Sequence, residues 1–169
     1  RIQHEQESDL SSRWNCKAGK CGSCSAEING KPKLMCMTRM SDILDETPEG
    51  QPIEVRPLRT FPHIKDLVTD VSWNYEVAAK VKGIKGPEEP DWKFHQFEAD
   101  RSQEFRTCIE CFICQNTCHV LREYQKFEDF GGPRTFVRIA NFEMHPMDEE
   151  DRIDDVKDVF GIGYCNITK

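Results

Sequence analysis

The apolar positions of this chain follow two rhythms, and the change falls after about residue 60. From Ser25 to Cys36 the order Ser-Ala-Glu-Ile-Asn29-Gly30-Lys-Pro-Lys-Leu-Met-Cys predicts a β-hairpin, because Asn-Gly readily takes the two positive φ angles of a type I′ turn. Pro52-Ile-Glu-Val-Arg56 predicts a further short strand of the same sheet, and a short polar helix precedes both. Beyond them the spacing lengthens. Ile64, Leu67, Val68 and Val71 share one face of a helix whose first turn holds Pro62. Further helices are predicted from Glu98 to Arg106, from just after Cys118 to about Lys126, and from Gly132-Pro133 onward, where Phe136, Val137, Ala140 and Met144 face a core. A fourth, capped by Asp148, carries Ile153, Val156 and Phe160 at i, i+3 and i+7 until Gly161-Ile-Gly163-Tyr-Cys165 breaks it. Lys82-Gly-Ile-Lys-Gly-Pro87-Glu-Glu-Pro90 reads as a polar, turn-rich connection at the protein surface.

Composition changes this picture in one respect. Hydrophobic residues make up 37% of the 169, a low share for a self-sufficient globule, but nine cysteines can recruit metal clusters whose binding adds folding free energy. An odd count at metal-ligand spacings is not a disulfide framework. The net charge of −7 gives nucleic acid no basic footprint. No apolar run approaches the roughly 18 residues of a membrane span, and no signal peptide is visible. These features lead us to expect a reducing, cytosol-side protein, with the glycosylation-like Asn166-Ile-Thr168 a chance match. The start, without an initiator Met or helix cap, and the end, four residues after a cysteine, are those expected of a fragment of a longer polypeptide.

The chemistry lies in the cysteine spacings. Cys108, Cys111, Cys114 and Cys118 form C-x2-C-x2-C-x3-C, the ligand run of cubane iron–sulfur clusters, in which the fourth cysteine serves another cluster in two-cluster ferredoxins. Zinc sites usually pair two C-x2-C knuckles across a longer loop, which this ladder fits poorly. Cys16, Cys21, Cys24 and Cys36 form C-x4-C-x2-C…C, the plant-type [2Fe–2S] pattern. A flat two-iron rhomb needs a loop that curls around it; Gly19 and Gly22 permit positive φ, and Ser23 and Ser25 offer additional hydrogen bonds that tune reduction potential. Two assignments remain for the other five. Either Cys118 joins its three neighbours and Cys165 is an orphan thiol, or Cys118 pairs with Cys165 on a separate cluster whose remaining ligands lie beyond Lys169; a fragmentary end favours the second. The fold class expected is α+β: a partial plant-type ferredoxin-like β-grasp domain over 1–60, a connecting helix and loop over 61–97, and an α-helical bacterial-ferredoxin-like domain over 98–169.

In Trp14-Asn-Cys16-Lys-Ala-Gly-Lys-Cys21-Gly-Ser-Cys24, Pro62-His-Ile-Lys-Asp-Leu-Val-Thr-Asp70, Cys108-Ile-Glu-Cys111-Phe-Ile-Cys114 and the helix after Gly132-Pro133, the chain resembles the iron–sulfur subunit of succinate dehydrogenase and fumarate reductase. The resemblance implies [2Fe–2S] on Cys16, Cys21, Cys24 and Cys36, [4Fe–4S] on Cys108, Cys111 and Cys114, and a third cluster, usually [3Fe–4S], on Cys118 and Cys165. In the family one further ligand for each of the last two clusters follows the position of Cys165. It also implies single-electron relay between an FAD-containing flavoprotein subunit, met by the N-terminal module, and quinone held with membrane-anchor subunits, met by the C-terminal module. The location implied is peripheral, at the cytoplasmic face of a prokaryotic cell membrane, and the iron–sulfur chain does no bond-making on the carbon substrate. A free, soluble multi-cluster ferredoxin is the alternative. The sequence departs from the commoner family pattern at His119-Val-Leu-Arg122-Glu123, where a proline and two tryptophans are usual, and at Asn166, where a histidine is common. His119 is a candidate for tuning the third cluster or relaying a proton, against the plainer role of a helix N-terminal residue bonded to backbone. His4, His63, His95 and His145 are read as surface or structural, and Trp14, Trp73 and Trp92 as packing residues.

Overall fold

The computed structural model describes residues 2–89 and 93–165, in two compact units; the first comprises Arg1–Val71 with Ile109–Thr117, and the second Ser72–Cys108 with Cys118–Lys169. Trp92 and the Asn166-Ile-Thr168 tripeptide lie outside the described residues.

In the first unit, α1 (Ile2–Glu5) precedes a three-stranded antiparallel sheet of β1 (Ser25–Ile28), β2 (Lys31–Leu34) and β3 (Val55–Arg56), with β1 in the middle. Asn29 and Gly30 take φ of 48° and 76°, so the predicted turn closes the β1–β2 hairpin with Ser25 opposite Leu34 and Ile28 opposite Lys31. Pairing of Ile28 with Val55 adds the third strand. Helix α2 (Met40–Glu46) buries only Ile43.

The helix predicted across Pro62–Val71 is not formed. That stretch is a two-stranded ribbon, β4 (His63–Lys65) and β5 (Val68–Thr69). The helical spacing of its apolar positions is outweighed by β-branched Ile64, Val68 and Thr69, which prefer a pleated surface, and by Asp66, which tolerates the left-handed turn at φ 47°. Distant chain stabilises the turn: the Asp66 carboxylate accepts the Ser11 N–H at 2.8 Å, and Leu67 N–H donates to the Ser11 carbonyl at 3.1 Å.

The second unit is helical. It contains α3 (Ser72–Ala79), α4 (Gln96–Arg106), α6 (His119–Arg122) and α7 (Gly132–Glu143), while α5 (Ile113–Thr117) belongs to the first unit. Buried Val77, Ile139 and Phe160 form one cluster, and Val120, Leu121 and Phe130 another; Trp73 and Phe136 pack against both. Helix α6 ends short of Lys126 because Gln125 turns left-handed at φ 53°. Beyond α7, a short helical stretch widens into a π-helical turn over Asp155–Val159, and a single 3-10 turn follows at Ile162–Tyr164. Asp148 does not cap it. Asp151 bonds the Ile153 N–H at 2.9 Å instead, and Asp148 is drawn into a buried ion-pair network with Arg152. That network also straps the polar loop after α3, since Arg152 donates to the carbonyls of Lys82 and Gly83.

Candidate metal centres

Between α1 and β1 the chain has no regular structure and curls on itself, with Lys17, Gly19 and Gly22 at φ of 57°, 65° and 69°. The curl turns backbone N–H groups onto sulfur. Cys16 Sγ accepts from Ala18 N–H at 3.4 Å and Lys20 N–H at 3.1 Å, and Cys21 Sγ from Cys16 N–H at 3.5 Å. The hairpin returns Cys36 to the same place: its N–H donates to Cys24 Sγ at 3.4 Å, and its own Sγ accepts from Gly19 N–H at 3.3 Å. Each of the four predicted [2Fe–2S] thiols thus accepts at least one backbone N–H, and the bonds join them in two pairs, Cys16 with Cys21 and Cys24 with Cys36. Such bonds favour the thiolate, the species that ligates iron.

The thiols differ in character. The Ser23 hydroxyl, then backbone N–H groups of Cys16 and Ser23, hold the Cys21 thiol down at about 6. Burial pushes Cys24 up. Ser23 therefore acts on sulfur as the sequence predicts, but Ser25 does not. Its hydroxyl points at two carbonyl oxygens, those of Gly22 at 3.0 Å and Cys111 at 2.8 Å.

The second cysteine run approaches that loop from within the same unit. A Cβ added at Gly22 would stand 2.6 Å from Cys111 Cα, so only glycine admits the approach. Phe112 is buried, its ring edge-on to Phe61 with centroids 6.2 Å apart. Glu110 and Phe112, flanking Cys111, both hold left-handed φ of 55° and 59°, an uncommon state for residues with side chains. From α5, Asn116 donates to buried Glu27 at 2.8 Å and accepts the Thr60 N–H at 3.1 Å, while Arg59 pairs with the other Glu27 oxygen at 2.7 Å. Sequence reasoning missed Glu27, Asn116 and the role of Ser25. The one available signal was the period of two that puts Ser25 and Glu27 on one face of β1.

The remaining predicted ligands sit differently. Cys114 and Cys108 are exposed, and Cys111 is half-buried. Cys118 is half-buried at the head of α6 against the Val120–Leu121–Phe130 cluster, and Cys165 is exposed after the turn Ile162–Tyr164. Among the described residues no three cysteine, histidine or acidic side chains gather as they would around one mononuclear ion. His119 lies edge-on to Tyr124, with ring centroids 6.1 Å apart. Three of the other histidines serve local structure: His63 bonds the Asp66 carbonyl, His95 N–H donates to Glu98 at the head of α4, and His145 accepts the Met147 N–H. Trp73 packs edge-on to Phe127 and donates to its carbonyl at 3.0 Å. Trp14 does not pack as predicted; it is 59% exposed, with the Lys17 ammonium 4.4 Å from its ring centroid.

Comparison with known proteins converges on the same chemistry. The family described as "2Fe-2S iron-sulfur cluster binding domain" matches residues 1–76. The fumarate reductase iron-sulfur subunit of Mycobacterium tuberculosis is 33% identical over 98% of this chain and 67% of its own length. The succinate dehydrogenase iron-sulfur subunit of Bacillus subtilis is 29% identical, over 97% of this chain and 64% of its own. The chain thus spans about two thirds of these relatives. Among solved structures, a chain of the Mycobacterium smegmatis Sdh1 complex in the apo form superposes with a TM-score of 0.93 at 55% identity, over 100% of this chain and 71% of that one. The N–H···S bonds of the cysteine loop, the matched [2Fe–2S] region and these relatives together place the chain in the family of succinate dehydrogenase and fumarate reductase iron–sulfur subunits.

Proposed function

We propose that this chain is the electron-transfer subunit of a succinate:quinone oxidoreductase, relaying single electrons between an FAD-bearing flavoprotein and quinone at a membrane-anchor subunit, with no substrate chemistry of its own. The observation that carries this reading is the set of backbone N–H groups on Cys16, Cys21, Cys24 and Cys36. These four residues would hold [2Fe–2S]. Cys108, Cys111 and Cys114 would hold [4Fe–4S], and Cys118 with Cys165 the third cluster, of [3Fe–4S] type. When bound, such clusters supply one-electron carriers whose potentials follow cluster type, hydrogen bonding and burial. The chain's own part is to donate N–H groups to sulfur and fix the ligands in place. The domains we propose are a β-grasp [2Fe–2S] domain over 1–60, a connection over 61–97 and an α-helical ferredoxin-like domain over 98–169.

One feature supports permanent partners. Met37, Met40 and Leu44, just beyond Cys36, are all about 60% exposed, and exposed apolar groupings mark interaction surfaces. Among the described residues no helix is long and apolar enough to cross a membrane. The membrane contact we propose runs through another subunit at the cytoplasmic face. The test is low-temperature EPR of the full-length protein with its accompanying subunits, reduced with dithionite and oxidised in air. A reduced [2Fe–2S] signal with an oxidised [3Fe–4S] signal is expected. Iron and sulfide analysis finding no [2Fe–2S] centre would overturn the reading.

A further inference from the structure

Ser25 follows buried Cys24 directly, yet its hydroxyl serves a residue 86 positions away: it lies 2.8 Å from the Cys111 carbonyl and 3.0 Å from that of Gly22. One hydroxyl has one proton to donate, and the shorter contact is the long-range one. Its target is the middle of a strained stretch. Glu110 and Phe112 are both left-handed, a conformation that persists for such residues only where the surroundings over-determine it. Three restraints converge here: the missing Cβ of Gly22, the ring of Phe61 against Phe112, and the Ser25 hydroxyl. Only the last can be removed without cutting a cavity or forcing an atom into occupied space.

We propose that Ser25 is a positioning residue. Its hydroxyl fixes where Cys111 stands relative to the cysteine loop, and so sets the separation between the centre held by Cys16, Cys21, Cys24 and Cys36 and the centre that takes Cys111 as a ligand. This rests on the function proposed above. The hydrogen bond crosses from the residue after one ligand to the carbonyl of the other, so its loss lets the 109–117 stretch drift, Cys111 with it, while leaving the thiols of the cysteine loop in place.

The test uses the full-length protein in its complex, as wild type, Ser25→Ala and Ser25→Thr. Iron content and the [2Fe–2S] signal establish loading; the spin relaxation of the reduced [2Fe–2S] signal reports its separation from the neighbouring paramagnet; amide hydrogen exchange over 109–117 reports the protein itself. Ser25→Ala is expected to keep both centres, to lose part of the relaxation enhancement, and to exchange over 109–117 roughly five-fold faster, as deletion of one hydrogen bond implies. Ser25→Thr, which restores the hydroxyl, returns both readouts to wild type. The proposal fails if Ser25→Ala matches wild type in both readouts. It fails equally if both variants lose the [2Fe–2S] centre, which would assign Ser25 to the loop's own fold. A wild-type protein without a [2Fe–2S] signal overturns the functional reading instead, and the exchange rates then still decide whether Ser25 holds Cys111.

Discussion

Each unit of this protein ties down a connecting stretch through a buried charged side chain. In the first, Glu27, 1% exposed on β1, takes Asn116 on one oxygen and Arg59 on the other. In the second, Arg152, also 1% exposed, pairs with Asp148 at 2.6 Å and Glu143 at 2.8 Å and donates to the carbonyls of Lys82 and Gly83. The surroundings differ. Arg152 is closed in, its main carboxylate partner as buried as itself, whereas Arg59 stands half in water. The stretches they hold differ more. Lys82–Gly86 has no thiol and no positive φ, while Ile109–Thr117 has two cysteines and two left-handed residues. Burial of a charge therefore marks where the chain needs tying down, and strain beside a thiol marks where the tie serves chemistry.

The sharpest test of that contrast is Arg152→Ala, which leaves the Asp148 carboxylate buried without its partner. It should destabilise the second unit by about 3–5 kcal/mol, read as a lowered urea midpoint in circular dichroism, with the [2Fe–2S] signal of the folded protein unchanged. Arg152→Lys should recover little, because an ammonium cannot reproduce the fork of donors. Next in size is Gly22→Ala. Its Cβ would meet the Cys111 backbone, at a φ of 69°, so a loss of about 2–4 kcal/mol is expected together with displacement of Cys111. Gly30→Ala is the control: φ is 76° but nothing lies within 4 Å of the added atom, so only the conformational cost of about 1–2 kcal/mol remains. Equal losses at the two glycines would mean that the approach of Cys111 to the loop is not close. Asn116→Ala is smaller again. It deprives Glu27 of one donor and the buried Thr60 N–H of its acceptor, about 2 kcal/mol, and unlike Arg152→Ala it should disturb the EPR of the cysteine centres.

What was legible beforehand divides along the same line. The Cys16–Cys36 loop was readable because its chemistry is local: ligand spacing, glycines at turns and an Asn-Gly hairpin all lie within about twenty residues. The Gln96–Arg106 and Gly132–Glu143 helices were readable for the same reason, although the second buries Thr135 and Ile139 most deeply and leaves the predicted Phe136, Val137, Ala140 and Met144 only partly covered. The 62–71 stretch was not, since its turn depends on Ser11, more than fifty positions away. Nor was the position of Cys111, which is held by Ser25 and Gly22 from the other end of the chain. Asp148 looked like a helix cap because a carboxylate before an apolar run usually is one; its real partner, Arg152, stands at i+4 and could have been noticed as a pair. Spacing reveals which residues can ligate, but long-range hydrogen bonds decide where they stand.

The smallest expected effect is one of pH, and it belongs to the tie in the second unit. Burial by itself raises the Asp148 carboxyl, but the Arg152 guanidinium and the N–H groups of Lys85 and Glu150 outweigh it and hold the group below the usual carboxylate range. A carboxyl depressed in the folded state binds its proton more readily when unfolded. The stability it contributes is therefore complete above the unfolded value near 4 and is lost as pH falls through the folded value. The urea midpoint of the second unit should be flat from neutral pH down to about 5 and decline below it. Asp148→Asn should lower that midpoint at neutral pH and flatten the acid decline. An unchanged acid decline in the variant would move the source to another carboxylate, and the Arg152 tie would then be held by its backbone carbonyls rather than by charge.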